Sequence, residues 1–315
     1  MTLAIACEGF LTLQGLPLPN VVQTVHVSGD YIYACQYTDR WRDARQVITK
    51  CRIEGPVATA ESSMTLHFFG HGQTLQWFQH REQDYFWVVC QASKRWWQSR
   101  QINWGVQIGR LQYQANQRVC GTTRLPRLTQ LNAANQTGHA LGQILRCEAA
   151  LASDGQLLLW TKNQAGSAQF AQYNAAKLNM LLDQQRVVAC SDPAVVAACT
   201  GSYAKSAGNW VPYNSYQGLA LAADQTLYVS SGGIGQIPYI SAGNWHQGWL
   251  PAFELHHPDL TARFADQEIE GLQVCADQLY VTVTFHANQL SGKAIEHVIY
   301  RVSRHAFTSS MINLT

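Results

Sequence analysis

Two carboxylates, Glu148 and Glu270, stand at the heads of similar apolar segments. Paired carboxylates are the machinery of glycoside hydrolysis, one acting as acid and the other as base or nucleophile, so these two are the candidate catalytic residues if the chain is an enzyme. The segments read EAALASDGQLLLW from Glu148 and EGLQVCADQLYVTV from Glu270. Three more share the pattern with glutamine at the head: QTVHVSGDYIYA from Gln23, QTLQWFQHREQDYFWVV from Gln73 and QGLALAADQTLYVS from Gln217. Each head is followed by Thr, Ala or Gly, and an aspartate (Asp30, Asp84, Asp154, Asp224 or Asp277) comes just before the second apolar run.

Equivalence of the five heads offers a second chemistry. Set at one depth around a common axis, Gln23, Gln73, Glu148, Gln217 and Glu270 would form a ring of amides and acids able to hold a cation, a water cluster or a polar ligand. Two carboxylates in one ring repel unless hydrated, protonated or bridged by a cation. The plainer reading is that the ring hydrogen-bonds neighbouring strands. No cofactor is expected beyond such a cation, and no other metal, because closely spaced Cys/His pairs are lacking.

A third chemistry is sugar binding. The chain has 10 Trp and 13 Tyr. Trp96 and Trp97 fall in a basic turn, and the sequence SAGNW occurs twice, giving Asn209 with Trp210 and Asn244 with Trp245. A flat aromatic face stacks on the apolar side of a sugar while neighbouring amides bind its hydroxyls. The alternative is that these rings pack between sheets.

The elements that must position these groups are short strands. Two apolar runs around a turn read as a hairpin, and units that recur every 50 to 70 residues, roughly, signal a radial β architecture. Such a unit buries its faces only by stacking against copies of itself. The sequence therefore predicts an all-β fold, a five-bladed β-propeller in a single domain over residues 1–315. The blades fall at roughly 21–53, 64–113, 146–174, 216–255 and 269–303. A strand from Leu3 to Leu13 is expected to close the last blade. Residues 54–63 read as a polar linker, 175–185 as a short helix and 190–212 as a low-charge insertion.

Composition excludes several classes. Hydrophobic residues make up 47% of the 315 and charged residues 13%, which is globular and not disordered. A net charge of +2 does not suit a nucleic-acid partner, and no apolar run is long enough for a transmembrane helix. The first residues lack the basic start of a signal peptide, so export by a non-standard route, release from the cell, or accumulation in the cytoplasm is expected. The 9 cysteines include no CxxC pair and read as buried free thiols, with a Cys190–Cys199 disulfide as the alternative.

The chain resembles the helveticin J family, the large heat-labile (class III) bacteriocins of lactobacilli. The resemblance runs from about Leu66 to Val302. It rests on RLPRLTQLN from Arg124, EAALASD from Glu148, YQGLAL from Tyr216 with LYVSS from Leu227, EIEGLQ from Glu268 and YVTVTFH from Tyr280. Cys147 stands where the family pattern has a histidine, and cysteine and tryptophan are more numerous than in the family. The resemblance implies an antibacterial protein that inhibits or kills related bacteria. With the aromatic loops, it implies recognition of a glycan or other component of the bacterial cell envelope. A lectin-like module that does not kill, and a bacteriolytic cell-wall glycoside hydrolase, are the alternatives.

Overall fold

The computed structural model describes residues 3–39, 44–93, 103–247, 250–289 and 292–312. Trp96 and Trp97 lie outside the described residues. The fold is all-β, with strands in five groups and short helices between them. Group one comprises Val22–Ser28, Tyr31–Thr38, Arg45–Glu54 and Val57–His67. Group two has Leu75–His80, Gln83–Ala92 and Gly105–Leu111, extended by Arg127–Thr129 and Val187–Ala189. Group three has Ile144–Leu151, Gln156–Asn163, Ala168–Asn174 and Cys199–Lys205. Group four has Gly218–Leu221, Thr226–Ser231, Tyr239–Asn244 and Ala252–His256. Group five has Gln267–Cys275, Gln278–His286 and Ala294–Ser303. No helix among the described residues is long and apolar enough to cross a membrane.

The first strands of the five groups touch one another in a closed cycle, one to two, two to three, three to four, four to five and five back to one. An apolar core fills each interval between groups. Cys35, Ile48, Leu75 and Phe86 lie between groups one and two, and Trp87, Cys147 and Leu157 between two and three. Trp160, Leu219 and Leu227 fill the next interval, Tyr228, Ile269 and Leu279 the fourth, and Leu11, Ile32 and Ile299 the last. Because both faces of each sheet are covered, the second strands are buried almost end to end, as in Thr226–Ser231, rather than alternating.

Several boundaries differ from the sequence reading. Residues 54–63 are mostly strand, because they open Val57–His67, which pairs antiparallel with Arg45–Glu54 and buries Ala58, Met64 and Leu66. Of the expected insertion, Cys199–Lys205 is the outer strand of group three, and Val187–Ala189, just before the insertion, extends group two. Asp84 is not a turn residue; it lies inside Gln83–Ala92, and the turn is made by Arg81 and Glu82, both with left-handed backbone. Asp154 and Asp224 do form Asx turns, accepting from Gln156 N at 3.2 Å and Thr226 N at 3.0 Å. The N-terminal strand is two strands. Leu3–Ala6 runs parallel to Ala252–His256. Glu8–Gln14 runs antiparallel to Ala294–Ser303 and parallel to Val57–His67, fusing groups five and one into a sheet of 9 strands. The helix is Ala175–Gln184, capped by the Asn174 side chain. All nine cysteines are free, Cys190 and Cys199 among them; Cys120 and Cys275 are exposed rather than buried.

The small residue after each head has a structural cause. A Cβ on Gly271 would lie 2.5 Å from Thr24 Cα and 2.7 Å from Gln23 O, and one on Gly218 would lie 2.8 Å from Gly271 Cα. Backbones of neighbouring first strands meet here, and backbone cannot swing aside as a flexible side chain can. Gly271→Ala is therefore expected to destabilise the protein by about 1–3 kcal/mol, measured as a lowered denaturant midpoint with an unchanged m-value.

Candidate functional site

The heads of the first strands converge on the axis of this cycle. Gln73 Nε2 donates to Glu270 Oε2 at 2.5 Å and to Gln217 Oε1 at 3.3 Å. The Gln73 backbone N–H donates to Glu148 Oε2 at 2.9 Å, and Thr74 Oγ1 donates to the same oxygen at 2.7 Å. Gln23 Oε1 pairs with His71 Nε2. Four of the five heads, Gln73, Glu148, Gln217 and Glu270, are thus joined in one network, and Gln23 enters through His71.

The residue that organises the network is Arg146, two positions before Glu148 and so on the same face of its strand. Arg146 Nε and Nη2 donate to Glu148 Oε1 at 3.1 and 3.0 Å, and Nη2 also donates to Gln73 Oε1. Its guanidinium lies over Trp104, 3.9 Å from the ring centroid. Trp104 stacks on His71 at 4.3 Å, and His71 stacks on Tyr37 at 4.9 Å. A column of three rings and one cation, each flat against the next, fixes the floor of the site. This arginine supplies the positive charge opposite the Glu148 carboxylate.

Above the network opens a cavity of about 580 Å³. Its lining includes Gln217, Glu268 and Glu270, the cations Arg146 and Lys162, and the segment from Tyr213 to Tyr216. Glu268 Oε2 pairs with the buried His286 Nε2 at 3.0 Å. Tyr213 and Asn214 both have left-handed backbone, φ 59° and 51°. Two consecutive non-glycine residues in that region are strained, and such strain persists where the surroundings over-determine it, often at ligand sites. Tyr213 is 48% exposed.

Burial sets the titration of the site. It pushes the Glu270 carboxyl well above the ordinary range, with the neighbouring Glu268 carboxylate adding to the rise. It also raises Glu148, against the opposing pull of Arg146 and the donors of Thr74 and Gln73. His71 is pulled down to about 3, by burial first and by the Arg146 charge second. His71 therefore stays neutral when folded, while the unfolded chain takes a proton below about pH 6.5. The unfolded state binds more protons there, so stability falls on acidification between about pH 6.5 and 3, at up to about 1.4 kcal/mol per pH unit from this group. His71→Gln is expected to flatten the fall in unfolding midpoint between pH 7 and 5, read by thermal denaturation.

Glu148 is 1% exposed and spends both oxygens inside the network; it does not line the cavity. Glu270 lines it, but on the same strand and wall as Glu268. Hydrolysis needs two carboxyls flanking the bond to be cut, and Glu148 presents no free oxygen for that role.

The aromatic expectation is corrected. Trp210 and Trp245 are 8% and 1% exposed, packed with Trp160 and Tyr216 between groups three and four. Trp245 Nε1 donates to Gln225 Oε1 at 3.1 Å. Neither ring has a face open to a sugar. The two SAGNW copies are not equivalent loops either, because the second lies largely in the strand Tyr239–Asn244. Asn209 is exposed, and Asn244 accepts from His246 N at 2.9 Å. Arg146, Lys162 and Tyr213 were not anticipated. Arg146 was open to discovery, since a strand places residues 146 and 148 on one face.

Among known proteins, the sequence matches the family described as bacteriocin helveticin-J over residues 7–305. No curated protein matches it. Solved structures similar to it include an alpha-L-arabinofuranosidase from Podospora anserina in complex with cellotriose, with 9% identity, TM-score 0.48, and 95% of this chain and 97% of that one covered. The GH43_1 enzyme from Xanthomonas citri has 10% identity and TM-score 0.46, covering 94% and 89%. A hypothetical protein from Leishmania major has 11% identity and TM-score 0.42, covering 96% and 90%. With the family match running nearly from end to end, the chain belongs to the helveticin J family of bacteriocins.

Proposed function

We propose that this chain is a single five-bladed β-propeller, its five strand groups being the blades, and that it acts as a bacteriocin-like antibacterial protein by binding a glycan of the bacterial cell envelope in the axial cavity. The observation that carries the reading is the cavity: a polar floor fixed by a hydrogen-bonded network, under a rim whose exposed aromatic, Tyr213, is held in a strained conformation. Tyr213 offers a face to the apolar side of a sugar, while Asn214, Ser215 and Gln217 meet its hydroxyls.

The test is a glycan array together with a turbidity assay on lactobacillus cells, comparing the parent with Tyr213→Ala. One lost stacking contact is expected to weaken glycan binding about tenfold, with an unchanged unfolding midpoint because the side chain packs little. Absence of both glycan binding and inhibition refutes the reading. Binding without inhibition indicates a lectin. Inhibition with release of reducing ends indicates a hydrolase.

A further inference from the structure

Two cations stand directly opposite each other at the cavity wall. Arg146 and Lys162 are cross-strand partners in the hairpin of group three. Directly opposed side chains have Cβ atoms about 4.5–5.5 Å apart, and like charges at such positions are destabilising. Arg146 is neutralised by Glu148. The partners of Lys162 among the described residues are uncharged: Asn214 Oδ1 at 3.5 Å, and the face of Tyr216, whose centroid lies 4.8 Å from Nζ. Tyr216 in turn packs on Trp160, and the Arg146 guanidinium also lies 5.5 Å from the Trp160 centroid. Both cations are therefore seated on one aromatic pair, and both line the cavity. The carboxylates that share the cavity, Glu268 and Glu270, are on a different strand group, and Glu268 is engaged with His286.

From this arrangement we infer that the axial cavity selects an acidic glycan, with the sugar's anionic substituent, a phosphate or a carboxylate, bound at Lys162 beside Arg146. The inference rests on the glycan-binding reading above and narrows its ligand. An anion placed between the opposed cations removes their repulsion, so binding is strengthened by an interaction that costs the empty protein stability. The partly buried lysine supports this: burial, and then the Arg146 charge, hold its ammonium below the ordinary lysine range. A nearby anion reverses that shift. Burial favours the proton on Glu270, which weakens its repulsion of the anion.

The test titrates the full chain and Lys162→Met with three probes: an oligomer of glycerol phosphate, an oligogalacturonate and neutral maltotetraose. Methionine keeps the apolar stem over Tyr216. Expected are binding of a charged probe by the parent, weakening as salt rises from 50 to 300 mM, roughly, because the contact is ionic. A loss of tenfold or more is expected in Lys162→Met, whose ligand-free unfolding midpoint should rise by about 1–2 °C as the opposed charges are removed. Preference for the phosphate or for the uronate probe identifies the source of the anion. Equal binding of maltotetraose and the charged probes by the parent overturns the inference, as does undiminished charged-probe binding by Lys162→Met. If neutral glycans bind in a Tyr213-dependent manner, the function proposed above stands and this narrowing of it falls. If no probe and no array glycan binds, both fall.

Discussion

Glu148→Ala is expected to destabilise the protein by about 3–5 kcal/mol, the cost of leaving a buried charge without its partner. The carboxylate is 1% exposed and accepts from four donors: the backbone N–H of Gln73, Thr74 Oγ1, and Nε and Nη2 of Arg146. Alanine leaves the Arg146 guanidinium buried without its countercharge and removes the acceptor of the Gln73 amide. Since a whole domain is stable by only about 5–15 kcal/mol, much of the variant should fail to accumulate folded. Glu270→Gln is the contrasting control. Burial and Glu268 favour the protonated Glu270 carboxyl, so a neutral amide of the same shape should lower stability by less than about 1 kcal/mol. Urea denaturation of both variants checks the pair. Equal losses would remove the distinction between an anchoring carboxylate and a neutral one.

The second large effect is at Trp245. Its truncation to alanine is expected to cost about 3–5 kcal/mol, through lost burial and the cavity left behind. The ring is 1% exposed, among Trp160, Phe170, Leu227 and Leu250, and its indole N–H is satisfied by Gln225. Gly201 approaches so closely that a Cβ there would lie 3.3 Å from the ring. Any loss of glycan binding in Trp245→Ala should therefore track the unfolded fraction and vanish under conditions where the variant is folded. Tyr213→Ala should show the opposite: a folded protein that binds weakly. Thermal denaturation monitored alongside binding separates the two.

What the sequence disclosed, and what it concealed, follows from where the information is local. The hairpins at Glu148 and Glu270 were legible because apolar runs broken by Asp-containing turns are local signals, and the recurring Gln or Glu heads pointed to a common axis. The Thr, Ala or Gly after each head was visible as a pattern, but its cause, backbone meeting backbone at Gly271 and Thr24, joins residues far apart in the chain. Cys199–Lys205 reads as insertion and Val187–Ala189 as no element, because their pairing partners lie outside their own segments. Tryptophan was misread for a related reason. Trp210 and Trp245 stand beside Gly and Asn, which suggests exposed loops, yet the wide gap between groups three and four needs large rings to fill it. Arg146 passed unnoticed because a buried cation has meaning only beside the carboxylate and aromatic face that hold it.

Residues 3–14 have an effect on how the molecule comes into being. Leu3–Ala6 is docked beside Ala252–His256, and Glu8–Gln14 is clasped between Ala294–Ser303 and Val57–His67. During translation residues 3–14 emerge well before two of their three neighbours, Ala252–His256 and Ala294–Ser303. Until Ala294–Ser303 has left the ribosome, Glu8–Gln14 has only Val57–His67 to pair with and presents an open edge to other nascent chains. Assembly is completed when the late strands reach this early segment, and deletion of residues 3–14 would leave a chain that still makes its hairpins but has no latch.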